Sequence, residues 1–166
     1  MTEEQFGELV HANADAVRAF VYRRASGLDV GVSSVDDINS EVWAIAWQRR
    51  ATAPAISEQS ACRAWLLQIA RFTIGNHIRK TVGHREVDRG LRPAEITAAS
   101  AESIVVADLE LNEALKSLKP AELEVFALTV WEGLSPKQIA IVTHSNANTV
   151  SIRLHRAKKK IAAALS

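Results

Sequence analysis

Few residues in this chain are of types that do covalent or acid–base chemistry, and their spacing argues against it. The five histidines, His11, His77, His84, His144 and His155, fall in different segments, without the short spacing that sets two metal ligands on one face. Asp36 and Asp37 are adjacent, so on a helix their carboxylates point in different directions and cannot share acid–base work. Cys62 is the single cysteine, which excludes an internal disulfide and any cysteine metal cluster. A glycine-rich phosphate loop and a nucleophile elbow are both missing. The expectation is a protein that is not an enzyme and needs no cofactor or metal. What the sequence offers instead is recognition chemistry: six Lys or Arg residues and no acid from Gly133 to the C-terminus. Cationic side chains at that density suit phosphate oxygens, and the polar residues among them suit base edges.

The elements that must position those side chains are a helix, a tight turn and a second helix. In LSPKQIAIVTHSNANTVSIRLHRAKKK, Ser135 predicts an N-cap, Pro136 the first helical position and Gln138 the far side of a capping box. Ile139, Ala140 and Val142 supply a short apolar face. Thr143-His144-Ser145 breaks the pattern, and Asn146 can cap the second helix. In that helix Val150, Leu154, Ala157 and Ile161 recur at helical spacing and should face inward. Asn148, Ser151, Ile152, His155, Arg156 and Lys159 then lie on other faces, as a helix needs for reading a major groove with lysines on phosphates. The plainer reading is an αα-hairpin with a solvated basic face.

Composition sets the frame. The hydrophobic fraction of 48% and charged fraction of 23% over 166 residues fit an ordinary globular protein of one domain or two small ones. The net charge of +1 hides its arrangement: segment 71–92 holds six basic and two acidic residues, whereas 95–132 holds eight acidic and two basic. Alternating blocks imply separate surfaces for separate partners. The acidic start, MTEEQFGELV, lacks a signal-peptide core, and no apolar run spans a bilayer, so the expected location is cytoplasmic, without membrane insertion.

Taken in order, Thr2 to Arg24 predicts an amphipathic helix with Thr2 and Gln5 forming a capping box and Phe6, Leu9, Val10, Ala14, Val17, Phe20 and Val21 on one stripe. Residues 27–33 read as a loop, and Ser34 as the cap of a second helix opened by Asp36 and Asp37. Its buried face is Ile38, Val42, Ile45 and Ala46; Asp37, Ser40, Glu41 and Ala44 mark another face. Ala51 to Gln59 is a loop, followed by a helix over about 60–81 with Trp65, Leu66, Ile69, Phe72 or Ile74, and Ile78 inward. Residues 82–104 hold glycines, Pro93 and no sustained period, the composition of a linker. Helices over 105–118 and from Pro120 to Gly133 complete the chain. The expected fold is all-α: two helical domains, 1–81 and 105–166, joined by the flexible linker 82–104.

Several stretches of this sequence resemble bacterial sigma factors of the extracytoplasmic-function type. Their usual helix-turn-helix reads EGLS-x-x-EIA, a turn, then GTV-x-SRLHRAR; here Glu132-Gly133-Leu134-Ser135, Ile139-Ala140, Thr149-Val150 and Arg153-Leu154-His155-Arg156-Ala157 match it. Val35-Asp36-Asp37-Ile38-Asn39-Ser40-Glu41-Val42-Trp43 is similar to the family's AEDLVQEVF. Arg63-Ala64-Trp65-Leu66, Ile69-Ala70-Arg71 and Arg79 match its FRAWL-x-x-IARN-x-x-x-D-x-x-R. LKSLKPAELEVFALTVWEGLS is similar to LxxLPxxxRxVxxLxxxEGLS. The departures are His144 at the turn glycine, Asn148 at the helix glycine, Ser151-Ile152 at a basic residue and Ser, Ser40 at Gln, Phe72 at Asn, Asn76 at Asp and Glu124 at Arg.

The resemblance covers about 6–80 and 108–162, and it implies a factor that binds core RNA polymerase and directs promoter-specific initiation. It implies docking on the polymerase clamp helices by Asp36, Asp37, Ile38, Ser40, Glu41 and Val42, where carboxylates set register and an apolar strip adds affinity. It implies minus-ten contacts by Arg71, Phe72, Asn76, Arg79 and Lys80, with the 51–59 loop shaping a pocket for unstacked bases. Trp65 is read as core rather than as a stacking platform. Minus-35 contacts fall to Asn148, Thr149, Ser151, Ile152, Arg153, His155, Arg156, Lys158 and Lys159. The polymerase flap and an anti-sigma factor are further partners implied. Two other readings remain open from sequence: a helix-turn-helix regulator whose N-terminal bundle dimerises or binds an effector, and a sigma-like decoy that binds polymerase or an anti-sigma factor without reading DNA.

Overall fold

The computed structural model describes residues 1–25, 31–82 and 108–166, with side chains described outside 31–34 and 81–82. Three long helices form the N-terminal bundle: α1 (Glu3–Ala25), α2 (Gly31–Gln48) and, after a 3₁₀ turn at Arg50–Thr52, α3 (Gln59–Val82). Four more helices follow, α4 (Leu109–Lys116), α5 (Pro120–Val130), α6 (Pro136–Val142) and α7 (Ala147–Ala164). Every described regular element is helical, as the all-α expectation requires.

Local signals set most boundaries. The Thr2 backbone donates to Gln5 Oε1 at 2.9 Å and Gln5 N–H donates to Thr2 Oγ1 at 3.2 Å, the reciprocal box expected at α1. Asp108 caps α4 by accepting from Leu111 N–H at 3.1 Å. Ser135 and Gln138 close the box at α6, and Asn146 Oδ1 accepts from Thr149 N–H at 2.8 Å at α7. Gly133 takes φ 65° after α5, a backbone region costly for a residue with a Cβ. Some boundaries differ from expectation: α2 begins at Gly31, so the last residues of the expected 27–33 loop are helical, α4 begins at Leu109 behind its Asp108 cap rather than at 105, and α5 ends at Val130, ahead of Gly133. The expected linker 82–104 lies outside the described residues except at Val82, which still belongs to α3.

Packing shows why the apolar residues of α3 are not confined to one face. The helix lies against α1 and α2 on one side and against α6 on the other. Leu66, Leu67, Ala70, Ile74 and Cys62 are fully buried, Ile74 takes the inward place, and Phe72 stays 51% exposed. A helix buried on two sides shows no single polar face. Within the C-terminal unit α7 packs on α4, α5 and α6. The two units expected to be separate share one buried cluster: Leu9, Val17, Phe20, Leu66 and Ile74 of the bundle join Val125, Leu128, Leu134, Ile139, Val142 and Val150.

Candidate functional site

Helix α7 carries the basic face. Val150, Ala157 and Ile161 are buried and Leu154 packs partly against the same core, so these positions fix the helix's roll. With about 100° per residue, Asn148, Ser151, Ile152, His155 and Lys159 fall on the opposite side, flanked by Arg156 and Lys158. All seven are exposed. Thr149 and Arg153 are half-buried on the shoulder of this face. Ser151 Oγ donates to Ala147 O at 2.8 Å, which spends its proton on the helix and leaves lone pairs outward. Ile152 is 45% exposed, an apolar side chain at the centre of a cationic surface.

The far end of α7 is anchored by a charge pair. Lys160 Nζ lies 2.6 Å from Glu122 Oε2 on α5, and the same oxygen accepts from Lys119 N–H at 3.0 Å. Burial tends to raise the Glu122 carboxyl. The Lys160 and Lys119 hydrogen bonds, with the charges of both lysines, outweigh burial and hold the group below the usual carboxylate value. Lys160 is therefore a structural cation, which separates it from Lys158 and Lys159. The turn that angles α6 against α7 passes through His144 at φ 51°, the left-handed conformation that explains the glycine common at such turns.

On α3, Phe72, Asn76, Arg79 and Lys80 share one stripe at helical spacing. Asn76 Oδ1 accepts from Arg79 Nη2, which aligns the amide and the guanidinium, and Lys80 is exposed beside them. An exposed aromatic ring, an amide and two cations suit unstacked bases and their phosphates. Arg71, expected in this set, is not there. It is 8% exposed and turned away, with Nε 3.6 Å from Glu124 Oε1 of α5. The 51–59 segment is held by its own bonds: Gln59 Nε2 donates to Ile56 O at 2.8 Å and the Cys62 thiol to Ala55 O at 3.3 Å. Burial first, and then the Glu58 charge, push the Cys62 thiol up, the opposite of an activated nucleophile.

Helix α2 presents Asp36, Asp37, Ser40 and Ala44 outward. Asp36 pairs with Arg18 at 3.4 Å on the surface, and Glu41 Oε2 lies 2.6 Å from His77 Nε2 of α3. Ile38 and Val42, expected in the docking strip, are 1% and 0% exposed. They hold α2 to the bundle and offer nothing to a partner, because the helical spacing that makes them one apolar face points them at the core. The apolar part of the outward face comes instead from Trp43, half-buried, and Trp47, 37% exposed, one and two turns beyond Ser40. Phe6 packs edge-on to Trp47 at 5.1 Å, and Arg50 lies 4.0 Å over its ring. Sequence reading missed Trp47, although its spacing from Ser40 was there to be read. Among the described residues no group of three His, Cys, Asp or Glu converges as a metal site.

Known proteins of similar sequence and structure share the family and the fold. Residues 9–83 match the family described as Sigma-70 region 2, and residues 108–161 match Sigma-70, region 4. The chain is 30% identical over 159 residues to the ECF RNA polymerase sigma factor SigC of Mycobacterium tuberculosis, covering 95% of this chain and 83% of that protein. It is 26% identical over 163 residues to the ECF RNA polymerase sigma factor BldN of Streptomyces coelicolor, covering 96% and 60% respectively. The fold matches the sigma factor RpoE co-crystallised with the anti-sigma factor NepR from Bartonella quintana, with TM-score 0.66 and 21% identity over 99% of this chain and 98% of that one.

Proposed function

The chain belongs to the sigma-70 family of RNA polymerase sigma factors, in its extracytoplasmic-function branch, and on that premise we propose how its surfaces divide the work of binding core polymerase and initiating at specific promoters. Residues 1–81 act as the polymerase-docking and minus-ten unit, 82–104 as the linker and 105–166 as the minus-35 unit. Asp36, Asp37, Ser40 and Glu41 set the register of α2 on the basic clamp helices, and Trp47 adds the apolar contact. Phe72, Asn76, Arg79 and Lys80 capture the opened minus-ten strand, joined by Arg71 when it is released from Glu124. The α7 face reads the minus-35 element: Asn148, Ser151, Ile152 and His155 toward bases, Arg156, Lys158 and Lys159 toward backbone or guanine. Thr149 and Arg153 border the groove.

The observation that carries this reading is the α7 face itself, seven exposed residues with no acid among them, held in place by buried Val150, Ala157 and Ile161. Sigma factors of this family are regulatory proteins, and the polymerase holds the catalytic centre, so the chain works without an active site or cofactor of its own. No described helix is long and apolar enough to cross a membrane. We assign the protein to the cytoplasm with the polymerase, and an anti-sigma factor is a natural further partner. A free-standing regulator would use α7 alone and leave the acidic α2 face and the α3 stripe without a task. Co-purification with core polymerase tests the reading: retention that fails when the α2 acids are reversed supports it, and absence of any complex overturns it.

A further inference from the structure

A cleft of about 250 Å³ opens between the middle of α1, the first turns of α3 and the chain that joins α5 to α6. Asn13 of α1, Gln59, Ser60 and Arg63 of α3, Glu132 of the connection and Gln138 of α6 line it. Its walls carry two opposite charges that do not meet. Arg63 is half-buried, and among the described residues it forms no hydrogen bond or ion pair. The Glu132 side chain is 4% exposed; its Oε1 accepts from Arg23 Nη2, while Oε2 accepts from none of the described residues. Asn13 is 2% exposed and donates through Nδ2 to Leu9 O at 3.0 Å, which leaves its Oδ1 unpaired. Gln138 Oε1 accepts from Ser135 N–H at 2.8 Å, so its Nε2 keeps both protons to give.

Buried polar atoms are ordinarily hydrogen-bonded, so unpaired ones that converge on one concavity mark a place kept for a ligand. Charge sorts that ligand. A simple anion drawn to Arg63 would face the Glu132 carboxylate, and a simple cation drawn to Glu132 would face Arg63 and Arg23. A molecule carrying both signs satisfies both walls. Size sorts it further. The 250 Å³ of the cleft lies just below the roughly 300–1,000 Å³ of sites for drug-sized ligands, which excludes a nucleotide and admits a free amino acid. The lining divides accordingly. The Arg63 fork and the Gln138 amide offer N–H groups to a carboxylate. Glu132 Oε2 and Asn13 Oδ1 offer acceptors to an ammonium, which has three N–H bonds to place. Gln59 and Ser60 are exposed at the edge of the cleft, where a ligand's side chain would emerge.

We propose that this cleft is a binding site for a free α-amino acid, its carboxylate held by Arg63 and Gln138 and its ammonium by Glu132 and Asn13. The site gives the chain a small-molecule input separate from its polymerase and DNA surfaces, and it does not depend on the sigma-factor reading. The test uses the full-length protein alone, with thermal melting against each of the twenty free amino acids and calorimetric titration of those that respond. At least one should raise the melting temperature saturably, by about 3–6 °C at ten times its dissociation constant. The amine and the keto acid that correspond to it should each bind at least tenfold more weakly. Arg63→Gln should weaken the amino acid at least tenfold and leave the amine unchanged; Glu132→Gln should weaken it similarly and leave the keto acid unchanged. Circular dichroism of both variants checks folding, and Arg63→Gln, at a half-buried position without an ion pair, decides the matter if Glu132→Gln fails to fold. No binding of any amino acid at 10 mM (about 2.7 kcal/mol of affinity) overturns the site, as does binding that survives Arg63→Gln. An amine or keto acid that binds as tightly as the amino acid overturns the two-charge assignment.

Discussion

Ile152→Ala tests promoter reading at the level of a single side chain. Ile152 stands among polar and cationic neighbours and cannot donate or accept a hydrogen bond, so its role on DNA is apolar contact, best with a thymine methyl. The substitution removes three carbons, each worth about 0.8 kcal/mol when buried. Only the 45% of the side chain that is exposed in the free protein remains to be covered by the groove. The expected loss is therefore about 1 kcal/mol, roughly a fivefold change in affinity, confined to sequences bearing that thymine. Protein stability should barely move, because the core contacts of α7 come from Val150, Leu154, Ala157 and Ile161. Holoenzyme binding to a library of minus-35 variants reads this directly. An equal loss on every sequence, or no loss on any, refutes the assignment of this face.

Further substitutions separate the other roles. Lys158→Ala and Lys159→Ala should weaken binding to all sequences alike and reduce the salt slope by about 0.9 each, since each releases roughly one counterion fewer. Salt titrations of promoter binding check this. Asp37→Lys with Glu41→Lys should weaken core-polymerase binding by about 1–3 kcal/mol, with thermal melting showing that the bundle survives loss of the His77 contact. Glu122→Gln removes a buried carboxylate that titrates below its ordinary value in the folded chain. The carboxylate's contribution is therefore present above the unfolded carboxylate range and is lost as pH falls through the folded value. Near neutral pH the variant should lose about 1 kcal/mol and melt about 2–4 °C lower, and the gap to wild type should close in acid.

The C-terminal half was legible because its boundaries are written locally. Ser135 with Gln138, Pro136 and Asn146 each act within three residues, and the structure shows each bond where spacing placed it. The roll of α7 was equally readable, since its core contacts recur at one period. What escaped was long-range. Nothing near Arg24, Arg71 or Asn13 in sequence marks them as buried: Arg24 finds Glu124 a hundred positions away, and Asn13 donates to Leu9 O on its own helix at 3.0 Å. The α2 strip misled for a related reason. Ile38 and Val42 are apolar for the bundle's sake, and the outward apolar surface lies a turn or two further on, at Trp47. Phe72 and Ile74 could not be ranked until α6 closed the second side of α3.

The central claim, that this chain brings promoter specificity to RNA polymerase, is tested most directly by transcription with purified components. Core polymerase free of other sigma factors, with and without this chain, is offered a library of genomic fragments, and the start sites are mapped. The account predicts discrete starts that require the chain, lie downstream of shared minus-ten and minus-35 elements, and disappear with Lys158→Ala/Lys159→Ala. A chain that binds core polymerase yet yields no specific starts, or starts that are the same without it, would contradict it.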